Sequence, residues 1–294
     1  MNTFWSDYVQ SSEELYQSRA LRFRKDNMYR WADAMGLRNG MNILEVGCAG
    51  SLLCHRIKEH LPECQVTGLD FDLGHIVYAR RKTKELGLDC TFEAGDAAAL
   101  PFEDETFDLC VSHTVMNFCE PSSFVSEQHR VLRPGGRMVI MGVYRPVNPE
   151  EWIPTEGCAE QSLFERLWEA ASQNPAGNIA RYESDPRRYF GYLQRQGFVN
   201  LSIDAMAAVK YAPDCGNVSC ELAHMQINED RLSELESAAK GLRLAPHALT
   251  QPEQQELFRL INQRWDRRIT QYEAGEKTWD FRISTVWIIS GTKR

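Results

Sequence analysis

The chain has 294 residues, with 33 lysines and arginines against 41 aspartates and glutamates, so its formal net charge is −8. Proteins that bind polynucleotides need clustered basic residues to displace counterions, and this acidic chain has no basic arm, so we expect no nucleic-acid partner. Its apolar runs are far shorter than the roughly 20 residues that span a bilayer, and no apolar signal core precedes them. The nine cysteines include no CxxC pair, which favours reduced, buried thiols. We therefore expect a cytoplasmic protein with no membrane partner.

Short apolar runs alternate with helical patterns between residues 40 and 145. The predicted strands are Asn42–Val46, Gln65–Leu69, Cys90–Ala94, Asp108–Ser112 and Arg137–Tyr144. The predicted helices between them cover 52–61, 74–86 and 122–132, and the last is broken by Pro134-Gly135-Gly136. Strands that alternate with helices of about 10–15 residues predict a parallel sheet with crossover helices.

The second half is less regular. Helices are predicted at Gln161–Ala171 and Asp185–Gln196, and strands at Phe198–Ala208 and Ile283–Ser290. Between these strands, apolar residues spaced by three and four predict an amphipathic helix that begins at Pro252 and ends at Gly275.

A turn of small residues follows the first predicted strand, in the segment 43–51. Such a turn lets a ligand approach the backbone, and the helix that begins at Ser51 points its free N–H groups at that ligand. Asp70 ends the next strand, where a carboxylate can accept hydrogen bonds from the two hydroxyls of a ribose. The dinucleotide fingerprint requires glycine at positions that hold Ala49 and Leu52 here, so a pyrophosphate site is disfavoured. Glu45, just ahead of the turn, also suits a cation better than a phosphate.

Five segments in the same order resemble the successive motifs of class I S-adenosylmethionine-dependent methyltransferases. The chain looks closest to the small-molecule group that includes ubiquinone and menaquinone methylases. The segments are 43–51, Val66–Asp72, Gly95-Asp96-Ala97 with Leu100-Pro101-Phe102, Phe107-Asp108, and Glu127 with Arg130 to Gly136.

The resemblance implies S-adenosylmethionine as the cofactor and assigns a role to each matching position. Glu45 would lie near the methionine amino group, and the backbone of Gly47, Cys48, Ala49 and Gly50 would lie along the methionyl part. The remaining residues would contact the ribose, the adenine or the sulfonium region. Asp70 would take the ribose hydroxyls, Phe71 would pack on adenine, Gly95, Asp96 and Ala97 would bind its edge, and Ser112 and His113 would lie beside the sulfonium.

The family usually has glycine at 47, 49 and 51, and this chain departs from that pattern at Ala49 and Ser51. If position 49 needs a positive φ, alanine costs about 1 kcal/mol there, unless Gly50 takes up the turn. This departure leaves open a protein that binds the cofactor or its product without methyl transfer. A further alternative is aminopropyl transfer, for which the carboxylates of Asp70 and Asp72 would hold an amine.

Methyl transfer from a sulfonium is an in-line displacement, so the enzyme mainly holds the nucleophile about 3 Å from the methyl carbon. An oxygen or nitrogen acceptor also needs a general base, and His113 is the best-placed candidate. Neither a base-binding Asn-Pro-Pro-Tyr motif nor a Pro-Cys nucleophile is present, so we expect a small-molecule acceptor. No metal is expected, because the spacing of Cys215, Cys220 and His224 is not a standard zinc pattern.

The predicted architecture is a Rossmann-like, doubly wound α/β fold with a mostly parallel seven-stranded sheet. Residues 1–39 would form an N-terminal helical cap, 40–212 with 279–294 the cofactor-binding domain, and 213–278 a helical lid before an antiparallel last strand. The aromatic candidates for the acceptor pocket are Tyr8, Tyr16, Tyr144, Trp152, Tyr189, Tyr192 and Trp265, and most of them are expected to be core residues. Arg264, Arg267 and Arg268 could bind an acidic acceptor, although a solvated helix face is expected.

Overall fold

A computed structural model describes residues 5–6, 9–144, 158–174, 182 and 185–294. The strands are β1 (Asn42–Val46), β2 (Gln65–Asp70), β3 (Thr91–Ala94), β4 (Phe107–His113), β5 (Leu132–Tyr144), β6 (Val199–Tyr211) and β7 (Arg282–Thr292). The α-helices are α1 (Ser12–Ala20), α2 (Met28–Met35), α3 (Leu52–His60), α4 (Leu73–Leu86), α5 (Pro121–Val131), α6 (Cys158–Ser172), α7 (Pro186–Arg195), α8 (Cys220–Leu244) and α9 (Gln251–Glu273).

The strands form one seven-stranded sheet in the order β3-β2-β1-β4-β5-β7-β6. Neighbours from β3 to β5 are parallel, and β7 is antiparallel to both β5 and β6. This confirms the predicted doubly wound sheet and its antiparallel last strand. The strand order reverses between β1 and β4, so the carboxyl ends of these two strands open the crevice where ligands bind in this class of fold.

The predicted break after α5 lies inside a strand. β5 begins at Leu132 and runs through Pro134-Gly135-Gly136. The N–H of Gly135 donates to the carbonyl of Lys293, and the N–H of Lys293 donates to the carbonyl of Gly136. The C-terminal residues therefore supply the hydrogen bonds that keep this glycine-containing segment extended.

The two faces of the sheet carry separate cores. One contains Ile43, Leu109 and Val139 with side chains from the N-terminal helices, and the other contains Leu44, Cys110 and buried residues of α5 and α7. Alternate residues of the same strands point to opposite faces, so a strand that is buried on both sides is apolar throughout.

The helices α6, α8 and α9 share a third apolar cluster, which includes Trp265 and Ile261. The predicted amphipathic helix is α9, and its apolar stripe is core, as expected for Trp265. The sequence did not predict the long helix α8. Arg264 bonds Glu160 of α6, and Arg268 bonds Asp214 and Asp280, so these arginines stabilise the helical unit rather than face solvent.

Within the ranges above, no helix combines the length and apolar character needed to cross a membrane. The same residues contain no cluster of histidine, cysteine and carboxylate side chains that could hold a metal. Of the aromatic candidates, Tyr16, Tyr189 and Trp265 are buried, whereas Tyr8, Trp152 and the side chain of Tyr144 lie outside the described residues.

Candidate functional site

The turn between β1 and α3 is tied to the neighbouring strand by backbone hydrogen bonds. The N–H groups of Gly47 and Cys48 both donate to the carbonyl of Leu69, at 2.7 and 2.9 Å. Gly47 has φ +75°, and a Cβ there would overlap the side chain of Val115. Glycine is thus required at this position both by its φ angle and by the closely packed loop that follows β4.

The strain of this turn falls on Ala49 and Ser51, which have φ angles of 45° and 69°. Gly50 is not among the residues of positive φ, so the expectation that it takes up the turn is wrong. A Cβ on Gly50 would instead lie 2.7 Å from the carbonyl oxygen of Ser12. Position 50 therefore requires glycine because α1 packs on it. Positions 49 and 51 have the left-handed conformation but hold L-residues, at a cost of about 1–2 kcal/mol each.

Asp70 ends β2 beside this turn. Its Oδ2 accepts from the N–H of Ala49 at 2.8 Å, and its Oδ1 accepts from the N–H of Asp72 at 2.9 Å. Burial raises the pKa of Asp70, and these two N–H groups act in the opposite direction. The ring of Phe71 is 60% exposed, which is unusual for a phenylalanine next to a buried core. A rigid carboxylate and an open aromatic face therefore stand together at the carboxyl end of β2.

Asp96 follows β3 by two residues and lies in a tight turn. Its Oδ1 accepts from the N–H of Ala98 at 2.8 Å, while its side chain is exposed and Ala97 is buried. Gly95 donates its N–H to the carbonyl of Asp70, so this turn is tied to the end of β2. This hydrogen bond places the turn that holds the three predicted adenine-edge residues beside the end of β2.

Glu45 is buried in β1, and its Oε2 accepts from the N–H of Cys54 at 3.0 Å in the first turn of α3. Ser51, at the N-cap, makes no side-chain capping bond, so Glu45 supplies that bond from the adjacent strand. Burial raises the pKa of Glu45 to about 7, and the nearby charge of Arg19 opposes this rise.

Ser112 and His113 end β4 next to the turn. Both are buried, and Ser112 Oγ and His113 Nδ1 have no hydrogen-bond partner among the residues that the structure describes. His113 Nε2 lies 3.0 Å from Nη1 of Arg22. The next residue, Thr114, has φ +60°, which is strained for a β-branched side chain. Strained backbone and unpaired buried polar groups tend to mark functional sites.

The N-terminal segment, for which a helical cap was predicted, contacts this edge of the sheet through side chains of α1. Ser12 Oγ bonds Nδ1 of His75 at 2.8 Å, and the Tyr16 hydroxyl bonds Nδ1 of His55 at 3.3 Å. Arg19 Nη2 donates to Thr114 Oγ1 at 3.3 Å. Because α1 contacts both α3 and α4 in this way, it holds arginines over the ends of β1 and β4.

Arg19 is a side chain at this edge of the sheet that the sequence analysis did not single out. Burial lowers its pKa, and the charges of Glu45, Glu14 and Asp70 oppose this effect. A guanidinium remains charged in a protein, so these three carboxylates stabilise a cation inside the site. The only signal in the sequence was an arginine in the last turn of a short helix, which is an ordinary feature.

Both carboxylate oxygens of Asp72 accept hydrogen bonds from nearby backbone groups. Its Oδ1 caps α4 through the N–H groups of Gly74 and His75, and its Oδ2 accepts from the N–H groups of Trp5 and Ser6. Trp5 also packs edge-to-face on Phe118, with ring centroids 4.5 Å apart. Asp72 thus anchors the N-terminal residues beside the site, and with the Ser6 hydroxyl it already accepts from five donors, which leaves no free lone pair for a substrate amine, whereas Asp70 accepts from only two.

These features define a class of protein: a doubly wound α/β protein with an adenosine-type site at its switch point. Residues 37–197 match the family described as methyltransferase domain. A ubiquinone/menaquinone biosynthesis C-methyltransferase from Bdellovibrio bacteriovorus is 30% identical over 184 residues, which are 60% of this chain and 73% of that protein. A demethylmenaquinone methyltransferase from Thermus thermophilus is 37% identical over 170 residues, 58% of this chain and 75% of that protein.

Solved structures have the same fold at low sequence identity. One is phosphoethanolamine N-methyltransferase 2 from Haemonchus contortus in complex with S-adenosyl-L-methionine, with a TM-score of 0.55 at 14% identity. The match covers 99% of this chain and 59% of that chain. Geranyl diphosphate C-methyltransferase from Streptomyces coelicolor, with bound S-adenosyl-L-homocysteine, has a TM-score of 0.50 at 12% identity over 92% of this chain and 79% of its own.

The chain belongs to the class I S-adenosylmethionine-dependent methyltransferases. Its cofactor is S-adenosylmethionine, as the sequence resemblance predicted, and its activity is methyl transfer to a small molecule. The alternatives of cofactor binding without transfer and of aminopropyl transfer gain no support from these relatives.

Proposed function

We propose that the adenosine half of the cofactor binds across the carboxyl ends of β2 and β3. Asp70 receives the ribose hydroxyls, Phe71 packs on adenine, and Asp96 and the N–H of Ala97 bind the adenine edge. The observation that carries this assignment is the exposed ring of Phe71 beside a carboxylate whose two oxygens are already fixed by backbone N–H groups. A fixed carboxylate binds a ribose with little further loss of entropy.

The methionyl half fits the other side of the same turn. The space for it along Gly47 to Gly50 is bounded by the side chain of Val115, which packs on Gly47, and by α1, which packs on Gly50. We assign Glu45 to the cofactor's amino group and Arg19 to its carboxylate. Arg19 is partly buried, and the charges of Glu45, Glu14 and Asp70 act on it, so this region suits a ligand that carries one positive and one negative group.

When bound, S-adenosylmethionine supplies an electrophilic methyl group on a sulfonium. We assign Ser112 and His113 to the region beside this sulfonium, at the end of β4. Their unpaired polar atoms provide hydrogen bonds for a ligand that the protein alone leaves unsatisfied.

We further propose that the acceptor is a hydroxylated aromatic ring of the quinol type, methylated on carbon. The support is that both relatives named above are quinone-pathway methyltransferases by their printed names. In this reaction a bond forms between the ring carbon and the methyl carbon while the sulfur–methyl bond breaks. S-adenosylhomocysteine leaves, and the proton of the attacked ring carbon passes to solvent.

For the architecture, we propose that residues 1–39 act as a cap and 213–278 as a lid over the acceptor. The contacts of α1 with the site support the cap. The hydrogen bond of Ser11 Oγ to Glu236 of α8, at 2.8 Å, connects cap and lid.

The test has two arms. Calorimetric titration with S-adenosylhomocysteine and NAD should show micromolar binding of the first and none of the second. Incubation with methyl-labelled S-adenosylmethionine and 1,4-naphthoquinol, kept reduced, should then yield a ring-methylated product. Absence of cofactor binding would refute the site, whereas binding without product would refute only the acceptor.

A further inference from the structure

The side chain of His113 makes a contact that fixes which ring nitrogen carries the proton. Arg22 Nη1 lies 3.0 Å from His113 Nε2. A guanidinium group has only donors, so Nε2 must accept, and in a neutral imidazole the proton is then on Nδ1.

The surroundings of the ring keep it neutral. Among the described residues, the charged groups that act on it are Arg22 and Arg19, and both are cations. Together with burial they hold the pKa of His113 well below its usual value. The ring of Phe23 packs edge-to-face on it, with centroids 5.3 Å apart, and restricts its orientation.

This arrangement does not suit the base role expected from the sequence. The lone pair of Nε2 is held by Arg22, and Nδ1 already carries a proton. That Nδ1–H is buried without a partner in the described part of the chain, and an unsatisfied buried donor costs about 1–3 kcal/mol. This unpaired N–H at the end of β4 is suited to donate a hydrogen bond to an oxygen of a ligand.

We propose that Arg22 is a positioning residue that holds His113 as the Nδ1–H tautomer, and that His113 donates this hydrogen bond to an oxygen of the methyl acceptor. The inference rests on the proposed function and deepens it. It identifies the substrate class as an acceptor with an anionic oxygen, a phenolate or an enolate, conjugated to the attacking carbon. The hydroxyl proton of such an acceptor is lost to solvent before methyl transfer, so no protein base is needed.

The tautomer is measured by long-range proton–nitrogen NMR on protein labelled with ¹⁵N-histidine, with and without S-adenosylhomocysteine. We expect His113 to be neutral and protonated on Nδ1 across the pH range in which the fold is stable. Arg22→Met should lose this tautomer preference, Arg22→Lys should retain it because an ammonium is also only a donor, and the exposed Arg30→Met should change nothing. A wild-type ring protonated on Nε2, or one that titrates near its usual pKa, would overturn the proposal.

The role toward substrate is tested with 1,4-naphthoquinol. Removing one preorganised donor to a developing or ionised oxygen lowers kcat about 100-fold or more. We expect a loss of that size for His113→Phe, larger than any accompanying loss of calorimetric affinity for S-adenosylhomocysteine. A kcat equal to that of the wild type would overturn the donor role. If the wild type binds S-adenosylhomocysteine but leaves the quinol unmethylated, the proposed acceptor fails, and the NMR result alone decides the Arg22–His113 pairing.

Discussion

Gly50→Ala is expected to weaken cofactor binding by displacing α1. The added Cβ would lie 2.7 Å from the carbonyl oxygen of Ser12 and 3.3 Å from Cβ of Tyr16, so the helix must move by a few tenths of an ångström. Gly50 lies outside the left-handed region, so alanine adds no backbone strain of its own. The substitution is therefore a steric perturbation of a single contact between the turn and the N-terminal helix.

The two consequences have different sizes. Overpacking costs about 1–3 kcal/mol, and the lower entropy of the unfolded alanine chain offsets about 0.4–1 kcal/mol of it, which leaves a net loss of stability of about 1–2 kcal/mol. Arg19 moves with α1, and loss of its hydrogen bond to the cofactor carboxylate costs about 1.5–3 kcal/mol of binding energy. Affinity should fall roughly tenfold to a hundredfold.

The assay compares two ligands by calorimetry on folded protein. S-adenosylhomocysteine carries the amino-acid carboxylate, whereas 5′-methylthioadenosine lacks it and still contacts Asp70 and Phe71. We expect Gly50→Ala to lose affinity for the first ligand only. Gly216→Ala is the matched control, since no atom lies within 4 Å of its added Cβ. An equal loss for both ligands, or none for either, would refute the role given to α1 and Arg19.

Other predictions follow from the same contacts. Asp70→Asn should lower the affinity for S-adenosylhomocysteine tenfold or more, because loss of a hydrogen bond to a charged group costs about 1.5–3 kcal/mol. The control, Asp89→Asn at an exposed position, should leave the calorimetric affinity unchanged. Ala49→Gly relieves about 1–2 kcal/mol of backbone strain in the folded protein, and the more flexible unfolded chain offsets about 0.5–1 kcal/mol of that gain. Urea unfolding should therefore show a stability equal to or greater than that of the wild type. Ser51→Gly should be less stable than Ala49→Gly, because it also removes a buried hydroxyl bonded to the Gly50 carbonyl. Burial lowers the pKa of His55 to about 4. Between the ordinary histidine pKa and that value, the unfolded chain therefore binds more protons than the folded chain. Stability measured by urea unfolding should fall by roughly 3 kcal/mol as the pH is lowered through this range. In His55→Gln the fall should be shallower.

The sequence predicted the α/β core well because each strand and crossover helix there is locally encoded. The segment 43–51 and Asp70 are brought together by the parallel pairing of β1 with β2, and the spacing of a strand–helix–strand unit already implies that pairing. The structure places the predicted residues at one edge of the sheet for this reason.

The N-terminal segment could not be placed in the same way. Arg22 contacts His113 across 91 positions of the chain, and Arg19 contacts Thr114 across 95. The sequence of α1 is hardly amphipathic, so it indicates neither an apolar face nor the sheet edge that the helix covers. The helix α8 was missed for a related reason: buried Glu229 and Asp230 pair with Lys210 and Arg282, so charged residues interrupt the apolar stripe that would have predicted it.

The strain at Ala49 and Ser51 explains why the N-terminal helix and the cofactor turn depend on each other. An isolated turn with two L-residues at positive φ would relax, since each costs about 1–2 kcal/mol. Here the N–H of Ala49 is held by Asp70, and Gly50 between the strained residues is covered by α1. The carboxylate that fixes the turn is the one assigned to the ribose, and the helix that covers it carries the arginine assigned to the methionyl carboxylate. A ligand that contacts both groups therefore stabilises the strained turn, and an unliganded protein in which α1 is displaced should lose the conformation of the turn as well.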